Sequence, residues 1–279
     1  MTKKTENPQS IETMMCEALL RSGYVMESRI VHSLVDQGFF VEPNQRVIDP
    51  ATGKSREIDL VAELWNSAHA GSRLSTRVSV NVRFVCEAKN NRYPIVLLTE
   101  LPFSPNLEIW ESLHEGRTGF FKTELLDPSF FDFLTDGQKL YTQYCSFKPK
   151  RNEKDSEWLA WHPDDFHDDL EKIVTYCRSE AEQMGELKDD FHRLFLYMPV
   201  VILSGDLYLA KPENAKVALS KVAAGLHMHF GMHEEMQCLS LVLFVTEGNS
   251  LPLFDEIIRF GQSIESTVVQ KLSSEERKS

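Results

Sequence analysis

Two runs of alternating polarity between residues 56 and 89 limit this chain to folds in which a pair of adjacent strands is partly buried. In Arg56-Glu57-Ile58-Asp59-Leu60-Val61-Ala62-Glu63, the side chains of Ile58, Leu60, Ala62 and Leu64 alternate with Glu57, Asp59, Val61 and Glu63, the two-residue period of a pleated strand. Asp59 is therefore expected to share a face with Glu57 and Val61. In the second run Val78, Val80, Val82, Phe84, Cys86 and Ala88 point one way, and Ser79, Asn81, Arg83, Val85, Glu87 and Lys89 the other. Glu87 and Lys89 then stand side by side. A carboxylate and an ammonium at the end of an otherwise apolar strand are costly near a core unless they are paired or hold something.

With Asp59 on the neighbouring strand, its carboxylate and that of Glu87 can converge on a hard divalent cation, which takes oxygen ligands and retains waters. An Asp followed by Glu87-Ala88-Lys89 on the next strand resembles the PD-(D/E)xK nuclease superfamily, the restriction-endonuclease-like fold. Asp59 follows the turn-like Asp49-Pro50-Ala51-Thr52-Gly53, as the first acidic residue of that family follows a hairpin turn. Glu57-Ile58 stands before Asp59 where the family motif has Pro. Glu27 matches the glutamate that many members carry on the helix before the sheet. By spacing alone, Glu27, Val31 and Leu34 fall on one helical face, which turns the glutamate inward.

The resemblance implies a metal-dependent nuclease acting on DNA. Asp59 and Glu87 would bind Mg2+ or Mn2+, with the carbonyl of Ala88 as a third ligand, and Glu27 would hold a second ion or a water. Lys89 would orient the attacking water or stabilise charge on the pentavalent phosphorane, and desolvation is expected to lower its pKa enough to assist deprotonation. Arg56, Arg83, Asn90 and Arg92 are candidates for contact with nucleic acid. The alternatives are a catalytically inactive module of the same fold that binds nucleic acid or a protein, and an RNA-directed nuclease with the same site.

Composition narrows the class further. A net charge of -12 argues against a protein whose whole surface grips DNA, since phosphate affinity comes mainly from Lys and Arg. The charge is uneven, with Arg46, Lys54, Arg56, Arg73, Arg77, Arg83, Lys89 and Arg92 around the proposed site and an acidic stretch from Asp164 to Asp190 that reads as a solvated helix face. A recruiting protein partner or a homodimer fits such a chain. The five scattered cysteines carry no disulfide or zinc pattern, and no apolar run is long enough to span a bilayer, which points to the cytoplasm.

In order, residues 1–9 read as disordered and 10–279 as a single domain. A helix from Ser10 is interrupted at Gly23, the helix carrying Glu27 ends at Gly38, and three strands follow, up to Lys89. Residues 94–157 read as a large insertion that caps or flanks the site. A helix is expected over Asp164 to Phe195, then a strand over 199–204, a hairpin through Gly205-Asp206, a strand over 239–245 and a final helix over 251–272. The expected class is α/β, a mixed sheet flanked by helices. His227, His229 and His233 have ligand-like spacing but no HExxH helix or cysteine nearby, so exposed or core-edge histidines are expected over a zinc site.

Overall fold

The computed structural model of the chain describes residues 10–48, 53–64, 78–101, 114–118, 140–150, 157–183, 192–214, 216–233 and 236–276. Two helices open it, α1 (Ile11–Arg21) and α2 (Tyr24–Asp36), followed by β1 (Phe40–Ile48), β2 (Ser55–Glu63) and β3 (Val78–Lys89). Then come β4 (Ile95–Leu101), β5 (His114–Thr118), β6 (Leu140–Pro149), β7 (Trp158–Trp161) and the helix α3 (Asp164–Gln183). The chain closes with β8 (His192–Leu203), β9 (Leu207–Glu213), β10 (Lys216–Val222), β11 (Ala224–His233), β12 (Met236–Thr246) and the long helix α4 (Glu247–Glu276). Among the described residues no helix is long and apolar enough to cross a membrane.

The mixed sheet runs β1-β2-β3-β8-β12-β11-β6-β4-β9-β10, with β5 added to β8 and β7 to β6. Its centre is parallel: β3 pairs with β8 along its whole length, and β8 with β12. Buried on both faces, β3 sends Val80, Val82, Phe84 and Cys86 into one core with α2 and α4, and Val85 into a second core under α3. Phe84 stacks on Phe254 of α4 at 4.0 Å between ring centroids. On the other face Phe166, Leu170, Ile173, Val174 and Cys177 of α3 cover Val85, Tyr197, Val201 and Phe244.

The alternation of β2 breaks at Asp59. Ile58 and Leu60 have the same parity, yet Ile58 packs in the α3-side core and Leu60 in the α4-side core. On β1, Asn44, which falls between the register pairs Pro43–Leu60 and Gln45–Ile58, has a φ of 55°, in the left-handed region that asparagine tolerates better than most residues. The β2–β3 ladder stops one residue after Asp59, at Leu60 opposite Cys86.

Several expected elements differ. Residues 192–195 belong to β8, not to the preceding helix, and α3 ends at Gln183. The reason lies in their period: Leu194, Leu196 and Met198 enter one core while Phe195 and Tyr197 enter the other. Gly205-Asp206 does not close a hairpin, because β9 pairs with β4 and β10 instead of β8. There the Gly205 N–H donates to Asn91 Oδ1 at 3.0 Å and the Ile95 N–H to the Asp206 carbonyl at 3.0 Å. A Cβ on Gly205 would lie 2.6 Å from the Asn91 side chain, so glycine is needed for this approach. The chains that leave β3 and β8 bend together and resume side by side as the parallel pair β4 and β9. Within the segment expected to be an insertion, β4 and β6 are full members of the sheet. Residues 1–9, most of the turn before Asp59 and the loop before Val78 lie outside the described residues.

Candidate active site at the bend after β3

Where β3 ends and its chain bends, the side chains of two strands and two helices meet. Asp59 reaches across from β2, and its Oδ2 accepts the Ala88 N–H at 2.7 Å, taking up a donor that the shortened ladder leaves over. Burial raises the Asp59 pKa, opposed by that N–H and by Lys172 and Lys89. Glu87 is 4% exposed. Burial, and next the charge of Asp59, push its pKa up to about 7 against the pull of two lysines.

Those lysines come from different elements. The Lys89 ammonium donates to Glu87 Oε1 at 3.1 Å and also to Asp169 Oδ2. Lys172, whose side chain is 8% exposed, places its Nζ 2.6 Å from Glu87 Oε2 and 3.5 Å from Asp169 Oδ1. Each oxygen of the buried Glu87 carboxylate therefore has a lysine ammonium beside it. Sequence spacing does not reveal Asp169 as a partner of Lys89 or Lys172 as a partner of Glu87. The available signal is their i, i+3 placement beside the apolar stripe of Leu170 and Ile173, inside a stretch that reads as a solvated acidic face.

Lys89 differs from the expectation of a lowered pKa. Burial does pull it down, but Glu87 and Asp169 more than offset this, and its pKa lies above the ordinary lysine value. It is a fixed cation, not a base in waiting. Glu27 lies half-buried beside the α2 stripe of Met26, Ile30 and Leu34, its pKa raised by burial and then by Asp59 and Glu57. A Cβ on Gly23 would stand 2.7 Å from Glu27 Oε1, so the glycine leaves room for the carboxylate to fold back along the helix start. Asp59, Glu87, Lys89 and Glu27 thus share one electrostatic neighbourhood.

The candidates for nucleic-acid contact are placed differently. Asn90 donates its side-chain amide to the carbonyls of Leu20, Arg21 and Ser22 at 3.1, 3.2 and 3.0 Å and accepts from Ser204 Oγ, so it closes the C-terminal end of α1. Arg83 is held by Glu63 at 2.6 Å and Glu180 at 3.6 Å, with its guanidinium over Phe195 and Tyr197. It ties β3 to α3. Arg56 is half-buried on β2 opposite Val47, and Arg92 is exposed with its guanidinium over the Tyr93 ring.

His227 and His229 are buried, not exposed or at the core edge, because β11 is an inner strand of the sheet. His227 Nδ1 bonds the Tyr141 carbonyl at 2.9 Å and burial lowers its pKa to about 3, while His229 Nε2 lies 2.8 Å from Glu171 Oε2. The side chain of His233 lies outside the described residues. Among the described residues, no group of three or more His, Cys, Asp or Glu has the geometry to hold a metal ion as it stands. A groove of about 450 Å3 between α1 and α2, lined by Leu19, Tyr24, Val25 and Arg29, contains no carboxylate and is not part of the cluster.

No family model, curated protein or solved structure matches this chain.

Proposed function

We propose that the chain is a metal-dependent nuclease that hydrolyses DNA phosphodiester bonds at Asp59, Glu87 and Lys89. The observation that carries this reading is the buried Glu87 carboxylate at the end of β3, in a cluster that Asp59 enters from the next strand. A buried carboxylate held partly neutral is costly, and an oxygen-seeking cation relieves that cost. Asp59 and Glu87 fit Mg2+ or Mn2+ by their chemistry, with the Ala88 carbonyl and Glu27 as further oxygen donors. When bound, such an ion acidifies a water and polarises the phosphate.

The chain's own groups supply the rest. Lys89, kept charged by Glu87 and Asp169, neutralises a phosphate oxygen and donates a hydrogen bond to it as negative charge accumulates on the pentavalent phosphorane. Lys172 offsets the carboxylate charge from the α3 side, so the fold tolerates Asp59, Glu87 and Asp169 in one place. Glu27 faces the same region from α2 and can hold a water by its carboxylate.

The same ion pairs favour one second reading. A cluster whose carboxylates are already matched by Lys89 and Lys172 can also serve a module that binds without turnover. Cleavage separates the two. Supercoiled, linear and single-stranded DNA, and RNA, are incubated with Mg2+ or Mn2+ and either wild type or Lys89→Ala. Loss of a donor to the developing charge typically costs about 100-fold in rate, so metal-dependent cutting is expected in wild type and a drop of that size or more in the variant. Cutting by the variant at the wild-type rate removes Lys89 from the mechanism, and absence of cutting together with absence of metal binding favours the binding module. RNA cut in preference to DNA would redirect the substrate assignment.

A further inference from the structure

The two lysines of the cluster are not equivalent. The Lys89 side chain is 25% exposed and that of Lys172 only 8%, so a phosphate arriving from solvent meets Lys89 first. Lys172 lies behind the carboxylates. Its Nζ is 2.6 Å from Glu87 Oε2, closer than the Lys89 ammonium at 3.1 Å from Oε1, and its charge also pulls down the pKa of Asp59 and of Glu27. One ammonium from α3 thus acts on all three carboxylates that are the candidates for holding a divalent ion.

Its mounting lets it withdraw. Leu170, Ile173, Val174 and Cys177 are fully buried against the sheet and fix the backbone of α3. Lys172 stands beside that stripe on a flexible four-carbon stem. Asp169, one turn earlier, has its Oδ1 3.5 Å from the Lys172 Nζ, a second acceptor already within reach. The ammonium can leave Glu87 without losing every partner and without moving the helix. Sharing is the costly alternative, because an ammonium and a divalent ion on one buried carboxylate repel at short range, where solvent and salt screen little.

We propose that Lys172 is a resident counter-cation which withdraws to Asp169 when Glu87 takes a divalent ion, so that its release sets the metal affinity of the site. The proposal rests on the metal-dependent reading for the identity of the ion and adds what governs its entry. Lys172 acts through the ligand carboxylates and is a positioning residue. While no ion is bound it keeps the buried carboxylate matched, and it raises the ion concentration at which the site fills. A divalent ion gathers several oxygens at once, whereas Na+ carries the same single charge as the ammonium and gains little by replacing it.

The test uses the full chain with Mg2+ as the probe. Lysines are reductively methylated with and without saturating Mg2+, and Lys172 is read by mass spectrometry against the exposed Lys216 as reference. Methylation of Lys172 relative to Lys216 is expected to rise at least about fivefold with Mg2+ and to stay level with Na+ at equal ionic strength. Calorimetry then compares wild type with Lys172→Met and Lys172→Arg. Affinities are taken at their high-pH limit, because loss of Lys172 also strengthens the hold of Glu87 on its proton. By reciprocity Lys172→Met should bind Mg2+ at least about fivefold more tightly, and Lys172→Arg, which keeps the charge, should show no gain. Thermal melts check that the variants fold, and the labelling of wild type decides alone if Lys172→Met does not. Mg2+ bound by wild type with level Lys172 labelling, or with affinity unchanged or weaker in a folded Lys172→Met, reduces Lys172 to a structural counter-ion and leaves the metal-dependent reading standing. Mg2+ bound by neither wild type nor Lys172→Met removes the metal-dependent reading and the proposal together.

Discussion

Burial and the neighbouring Asp59 carboxylate keep a proton on Glu87 up to about pH 7, well above an ordinary glutamate. Between roughly pH 4.5 and 7 the folded chain therefore binds more protons at this position than the unfolded chain, and folding stability falls as pH rises through that window. Above it the loss is complete and constant. Glu87→Gln cannot ionise and escapes this loss. Its stability relative to wild type is expected to improve by up to roughly 3 kcal/mol between pH 4.5 and 8, measured by urea unfolding without divalent ions. A difference independent of pH would show that Glu87 is not a buried carboxylate held partly neutral. The placement of Glu87 and Lys89 side by side is legible in the sequence because the two-residue period of β3 makes any charge near its end conspicuous. Asp169 and Lys172 are not legible in this way. Their meaning depends on which flank of α3 turns toward β3, and only packing decides that.

At the level of elements, α1 is held from outside its own sequence. It buries no residue, and Ile11, Met14, Met15 and Leu19 remain exposed. Its last turn is closed by the Asn90 amide, which donates to three carbonyls and is itself set by the bend after Lys89. Position α1 is thereby coupled to the end of β3. Asn90→Ala is expected to accelerate amide exchange across Ile11–Arg21 while lowering global stability by only about 1 kcal/mol; unchanged protection of α1 would mean that the cap does not hold it. The sequence supports α2, β3 and α4 well, since each has a clear period, whereas the period of β2 misplaces the face of Asp59, where its alternation breaks. It misleads over Gly205-Asp206, where a short turn between two apolar runs matches a hairpin, whereas the side chain of Asn91 and the pairing of β4 with β9 carry the chain elsewhere. Local turn chemistry specifies that a chain bends, not which strand it next meets.

Over the whole molecule, a charge of -12 surrounds a site in which two lysines, Lys89 and Lys172, offset only part of the charge of Glu27, Asp59, Glu87 and Asp169. The sheet order, in which β4 and β6 stand between β11 and β9, is the least legible part of the fold, because these contacts join residues far apart in sequence. An acidic body attracts divalent cations everywhere, so metal binding alone proves little, and its proton linkage is the sharper observable. A cation that binds Glu87 must displace the proton this residue keeps up to about pH 7. Apparent affinity for Mg2+ or Mn2+ is therefore expected to rise nearly tenfold per pH unit between about pH 5.5 and 7 and to level off above that, with close to one proton released at pH 6. Diffuse attraction to the acidic surface has no such break, since ordinary carboxylates are already ionised by pH 6. Calorimetry in two buffers of different ionisation enthalpy reads the proton directly. Saturation at 100 times the dissociation constant should add about 2.7 kcal/mol of stability, an increment expected to disappear in Glu87→Gln. Affinity that is flat from pH 5.5 to 8, or unaffected by that substitution, would place the bound ion elsewhere on the acidic surface.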